Sequence, residues 1–138
     1  MQRIRVLLID DNLEFLDVAT TLLEGHDFEI VEKALNGEEG LKAALTLQPD
    51  VVVLDVSMPH MNGFEVARRL RQQKHRAGIV LLTFHEDVDY VHAARSVGAM
   101  GYVIKRRMAT DLPQAVRCVN AGRAFVSPPL DGDGDPRP

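Results

Sequence analysis

At 138 residues, 46% of them hydrophobic and 26% charged, the chain has the size and balance of one soluble globular domain. A single cysteine, Cys118, excludes an intrachain disulfide framework and a Cys-rich zinc site, and no apolar run approaches the ~20 residues that cross a bilayer. A net charge of −4 excludes the strongly basic footprint of a nucleic-acid domain, and the N-terminus, MQRIRVLLIDD, closes a short apolar run with two aspartates, unlike a signal peptide, so a cytoplasmic protein with no membrane contact is expected.

Two kinds of segment then alternate. Ile4–Ile9 reads as a strand ending in Asp10-Asp11, and residues 12–25 as a helix with Leu13, Leu16, Ala19 and Leu23 on one face. Phe28–Ala34 is a second strand, and residues 37–47 a helix with Leu41, Ala44 and Leu45 on its apolar side. Val51–Leu54 precedes a helix over 62–74 that carries Phe64, Ala67, Leu70 and Arg71. Ile79–Leu82 precedes a helix over 87–97 with Val88, Val91, Ala94 and Val97. Gly101–Ile104 precedes a helix over 109–121 with Leu112, Ala115, Val116 and Val119. Turn and cap residues separate them, among them Gly25, Asn36-Gly37, Pro49-Asp50, Pro59, Gly78, Gly98 and Gly122.

VVVL and IVLL are continuous apolar runs too short for helices, which is how strands buried on both faces read. The expected fold is α/β: a five-stranded, doubly wound parallel sheet built as (βα)5. Residues 1–125 form one domain, and residues 126–138, acidic and rich in Gly and Pro, are expected to be a disordered tail.

In an open doubly wound sheet, ligands bind beyond the carboxyl ends of the strands. Those ends carry Asp10-Asp11, Asp55, Thr83 and Lys105. Each has a bland reading: Asp10 or Asp11 as a helix cap, Asp55 as a strand end, Thr83 as a loop hydroxyl, Lys105 as a solvated lysine. Together they converge on one edge. Clustered carboxylates repel one another unless a proton or a cation intervenes, and Mg²⁺ suits one or two carboxylates plus waters. With the repulsion relieved, a carboxylate oxygen can act as a nucleophile and Lys105 can hold incoming negative charge.

Asp10-Asp11, Asp55 in VVVLDVSMPHMNG, Thr83 in IVLLTFHED, and Tyr102 and Lys105 in GYVIK resemble a response-regulator receiver domain of two-component signalling, over about residues 4–125. The resemblance implies the flavodoxin-like receiver fold and Asp55 as phosphoacceptor. It implies Asp11 as a direct metal ligand, Asp10 as one acting largely through water, and Ser57 as the donor of a backbone carbonyl to Mg²⁺. Thr83 and Lys105 would contact the phosphoryl group, and Thr83 with Tyr102 would form the switch. The implied partners are a sensor histidine kinase and a downstream protein or a second copy of the chain in a homodimer. The implied protein is no enzyme beyond its own phosphorylation and dephosphorylation. Pro59 and Gly63 match the family's M-P-x-x-x-G, where Gly63 would give an unusual backbone angle or a close approach.

Phe84 and Arg106 stand where receivers commonly have a small residue and a proline. Both variations resemble the subfamily that normally carries a C-terminal helix-turn-helix for DNA. One alternative is therefore the receiver portion of a longer DNA-binding transcriptional regulator. No specific DNA binding is expected from these residues alone. The other alternative, a small flavodoxin-like phosphohydrolase, is disfavoured: Asp10-Asp11-Asn12 repels anions unless a metal is present, and Ser57 replaces the second carboxylate such enzymes want. Phe84 is expected to hinder the pocket mouth. Arg68, Arg69, Arg71, Lys74 and Arg76 read as a solvated face, and Arg95, Arg106, Arg107 and Arg117 as a basic rim for an acidic partner.

Overall fold

A computed structural model describes residues 2–25 and 27–128. The strands are β1 (Ile4–Ile9), β2 (Phe28–Ala34), β3 (Val51–Asp55), β4 (Gly78–Thr83), β5 (Gly101–Ile104) and β6 (Phe125–Val126). The helices are α1 (Leu13–Leu23), α2 (Gly37–Leu47), α3 (Gly63–Gln72), α4 (Val88–Ser96) and α5 (Met108–Asn120), the last entered through a 3-10 turn at Lys105–Arg107. All strand pairs are parallel, in the order β2-β1-β3-β4-β5-β6.

The continuous apolar runs divide their side chains between two faces. Leu7, Ile9, Val52, Leu54, Ile79, Leu81 and Ile104 pack with Val66 and Leu70 of α3 and Val91 and Ala94 of α4. The alternate residues Val6, Leu8, Val51, Val53, Val80, Leu82 and Val103 pack with Leu16 and Leu23 of α1 and Leu112 and Val116 of α5. Period-two alternation across a two-faced core requires both sets to be apolar, and so erases the alternation from the sequence.

Two expectations are corrected here. The sheet has six strands rather than five, because β6 pairs with the outer edge of β5, Gly101 opposite Phe125 and Tyr102 opposite Val126. The predicted tail therefore starts too early: Val126 is in the sheet, and the buried Ser127 donates its backbone N–H to the Tyr102 carbonyl at 2.9 Å. A strand of two residues is too short to show a period, and covering the β5 edge is what stabilises it. The rest of the predicted tail, residues 129–138, lies outside the described residues.

Leu13, placed on the apolar face of α1, is 63% exposed. The arginines also differ from expectation. Arg71 folds back from α3 to donate to the carbonyls of His75, Ala77 and Gly98 at 3.0, 3.2 and 2.9 Å, so it is a clamp rather than a solvated charge. In the expected basic rim, Arg106 is held by Glu86, Arg107 by Asp111 and Arg117 by Asp27, which cancels most of that charge.

Candidate functional site

The carboxyl ends of β1, β3, β4 and β5 bring five of the predicted residues to one edge. Asp10, Asp55, Thr83 and Lys105 are 3%, 4%, 1% and 6% exposed, and Asp11 stands exposed beside them. Helix α1 is capped by Asn12, whose Oδ1 accepts from the N–H of Glu14 at 2.8 Å and Phe15 at 3.3 Å. Neither aspartate therefore caps it, and Asp11 is left for other work. Asp10 Oδ1 accepts from the Asn12 N–H at 2.9 Å, which fixes the turn between β1 and α1.

Oxygens of Asp10, Asp11 and Asp55 lie within 4.8 Å of one another. Lys105 Nζ sits 3.0 Å from Asp10 Oδ2 and 3.3 Å from Asp55 Oδ1. One ammonium among three carboxylates does not balance them. Asp10 Oδ2 is buried and has no hydrogen bond, Lys105 lying outside hydrogen-bond geometry to it. Burial, and then the Asp10 charge, raise the Asp55 carboxyl from the ordinary 3.8 to about 7, against the opposing pull of Lys105 and the Ser57 N–H. The cluster is thus short of positive charge. A divalent cation with oxygen ligands supplies what it lacks, so the residues present fit Mg²⁺.

Ser57 is exposed, and its N–H reaches Asp55 Oδ1 at 3.4 Å. Gly63 opens α3 against the β3 backbone. An added Cβ there would collide with the Asp55 carbonyl oxygen and lie 2.9 Å from Val56 Cα. Close approach, not a left-handed backbone angle, is what this glycine provides.

Thr83 Oγ1 accepts from the His85 N–H at 3.1 Å, and the buried Tyr102 hydroxyl donates to the His85 carbonyl at 2.8 Å. The His85 ring stacks on Tyr90 of α4, centroids 4.1 Å apart and planes 10° apart. Thr83, Tyr102 and α4 therefore meet through one residue, His85. Burial holds the Tyr102 hydroxyl well above its ordinary pKa, so it stays a donor.

Phe15 was missed. Its ring lies under the Lys105 ammonium, 3.9 Å from Nζ to the centroid, and meets Phe84 edge to face at 5.4 Å. The signal available was an aromatic in the first turn of α1, four residues before Ala19 and so on the apolar side of the helix. Phe84, the residue after Thr83, is 60% exposed.

The model of the response regulator receiver domain matches residues 6–117, and the chain belongs to that family. It is 33% identical over 127 residues to the transcriptional regulatory protein DegU of Brevibacillus brevis, covering 91% of this chain and 54% of that protein. It is 35% identical over 128 residues to the response regulator GacA of Pseudomonas viridiflava, covering 92% of this chain and 60% of that protein. The chain thus spans little more than half the length of these curated relatives. Among solved structures, it resembles a two-component response regulator of the LuxR family from Aurantimonas sp. SI85-9A1 with a TM-score of 0.89, 30% identity and 94% of each chain covered. A DNA-binding response regulator of the LuxR family from Staphylococcus aureus matches with a TM-score of 0.79 and 26% identity, over 85% of this chain and 98% of that one. No helix among the described residues is long and apolar enough to cross a membrane.

Proposed function

We propose that Asp55 accepts a phosphoryl group from a sensor histidine kinase or a small acyl phosphate, and that the modified site resets the packing around Tyr102. The observation that carries this is the charge-deficient cluster: three carboxylates, one ammonium and a buried oxygen with no hydrogen bond at one strand edge. Phosphoryl transfer asks little of a protein except position and charge neutralisation, and this edge offers both.

Asp10, Asp11, Asp55 and the Ser57 carbonyl would hold Mg²⁺. Bound there, the ion would neutralise the carboxylates and the phosphoryl oxygens. Asp55, ionised, turns one carboxylate oxygen to the donor phosphorus. That O–P bond forms as the bond to the donor's imidazole nitrogen or acyl oxygen breaks, and the leaving atom keeps the electron pair. Lys105 pairs with a phosphoryl oxygen, giving up its place between Asp10 and Asp55.

Thr83 turns its hydroxyl to the new oxygens and withdraws the acceptor that holds the His85 N–H. Through His85 the change reaches the Tyr102 hydroxyl and the Tyr90 stack on α4. A partner preferring one arrangement of α4 and β5 shifts the balance between them. That partner is a downstream protein or a second copy of the chain. The names of DegU and of the Staphylococcus aureus structure support transcriptional control as the output, exercised through residues other than these. Asp11, Asp55, Lys105 and Thr83 carry the chemistry.

Incubation with acetyl phosphate and Mg²⁺ should add one phosphoryl group by intact mass, and Asp55→Asn should add none. A full-yield adduct in Asp55→Asn, or uptake indifferent to Mg²⁺, refutes the assignment.

A further inference from the structure

Phe84 contributes little to the core: it is 60% exposed, an unusual place for a large apolar ring beside a charged site. Its neighbours explain it. The Lys105 ammonium stands 3.9 Å from the Phe15 centroid and 5.3 Å from the Phe84 centroid, and the two rings meet edge to face at 71°. An ammonium over a ring face is attracted by the ring's quadrupole, more strongly when it is desolvated, and the Lys105 side chain is 5% exposed. The rings come from opposite walls of the site, Phe15 from the first turn of α1 and Phe84 from the residue after β4. Beneath Phe15, a small cavity of about 10 Å³ is lined by Asp10, Leu16, Ala19, Val53 and Leu82.

We propose that Phe15 and Phe84 form a two-ring roof over the acceptor site. Phe15 is a positioning residue that holds Lys105 toward Asp10 and Asp55, and the pair of rings keeps water from the acyl phosphate, prolonging its life. The lifetime half rests on the receiver reading given above. In hydrolysis, a water oxygen bonds to phosphorus as the P–O bond to Asp55 breaks. The electron pair returns to the carboxylate, the water's proton passes to solvent, and inorganic phosphate leaves. That water must approach in line from the side facing away from Asp55. Asp55 is buried, so the approach is from the solvent side, and the exposed Phe84 ring stands beside it, 5.3 Å from the Lys105 ammonium that lies 3.3 Å from Asp55 Oδ1.

The test has two arms on the full chain. In the first, Lys105 is observed without any phosphoryl group. Its Cε protons should be shifted upfield by the Phe15 ring. The shift should persist in Phe15→Tyr and vanish in Phe15→Leu, which keeps bulk without a ring face. An unchanged Lys105 signal in Phe15→Leu overturns the positioning role. In the second arm, the chain is loaded with acetyl phosphate and Mg²⁺, stripped of donor, and followed by intact mass. Phe84→Ala and Phe15→Ala should each shorten the half-life by about threefold or more, and Phe15→Tyr should restore it. Should Phe15→Ala not fold, Phe84→Ala, altered at an exposed ring, carries this arm. Half-lives equal to that of the unmodified sequence overturn the roof alone. Failure of the unmodified sequence to take up any phosphoryl group overturns the receiver reading and the lifetime half with it, while the Lys105 signal still decides the positioning half.

Discussion

The two ends of the sheet handle buried polar groups in opposite ways. At the amino-terminal end, Arg71 spends its guanidinium on three backbone carbonyls. Beside it, the buried His75 ring lies 2.8 Å from the Ala44 carbonyl through Nε2 and accepts from the Ala77 N–H at 3.1 Å through Nδ1. A cavity of about 490 Å³ opens there, lined in part by Asp50, Arg71, His75 and Gly78, and its Asp50, Arg71 and His75 side chains already have hydrogen-bond partners. At the carboxyl end the available space is small, and Asp10 and Asp55 are buried against a single ammonium. The larger cavity thus lies beside satisfied polar groups, and the charge imbalance lies at the small cleft of the opposite end. Asp111 sharpens the contrast. It is also a buried carboxylate near the carboxyl end of β5, but Arg107 donates to it at 2.9 and 3.2 Å and the Ser127 hydroxyl at 2.7 Å. Satisfaction by neighbours, not burial or position, separates Asp111 from Asp10 and Asp55.

If the amino end is a finished network, removing one member should be costly. Arg71→Ala should lower stability by about 2–4 kcal/mol in denaturant melts, since three carbonyls lose a charged donor, and Arg71→Lys should not restore it because a point charge cannot span them. A loss within experimental error would erase the contrast. Ser127→Ala should cost about 1–2 kcal/mol, because Asp111 and the Ile104 N–H, which donates to Ser127 Oγ at 3.0 Å, both lose a partner. Retained stability there would mean that Arg107 alone satisfies Asp111.

At the carboxyl end the sign should reverse. In the folded chain Asp55 keeps its proton to about pH 7, against 3.8 ordinarily. Its contribution to stability is therefore full below the unfolded value and is lost as pH rises through about 7 in the absence of metal. Asp55→Asn removes the ionised carboxylate, and should raise the melting temperature of the metal-free chain by a few degrees at about pH 8, with a smaller gain at about pH 5. Mg²⁺ should raise the melting temperature of the unmodified sequence and not that of the variant. A variant less stable than the parent at the higher pH would mean that Asp55 is as well satisfied as Asp111. The smallest effect is expected at Arg106, whose bidentate pair with Glu86, at 2.6 and 2.7 Å, is exposed: Arg106→Ala should change stability by less than about 1 kcal/mol.

The sequence made the strand ends legible because each short apolar run stops at a residue of different character: Asp10 after Ile9, Asp55 after Leu54, Thr83 after Leu82 and Lys105 after Ile104. Parallel topology then brings those stops to one edge, so the site followed from the fold. What stayed hidden depended on tertiary neighbours. Strand β6 exists because β5 has an edge to cover. Leu13 follows the helical period but is exposed. Arg71 has the composition of a surface residue and the contacts of a clamp. Phe15 is invisible without the Lys105 ammonium beside it, because cation–π contact between residues far apart in the chain leaves no spacing to read.

The central claim is that the carboxyl-end cluster lacks positive charge that a cation must supply. The ¹³C carboxyl resonance of Asp55, followed against pH with and without Mg²⁺, measures this directly. The prediction is titration near 7 in the metal-free chain and a marked fall in the apparent pKa when Mg²⁺ is added. Titration at the ordinary 3.8, indifferent to Mg²⁺, would contradict it.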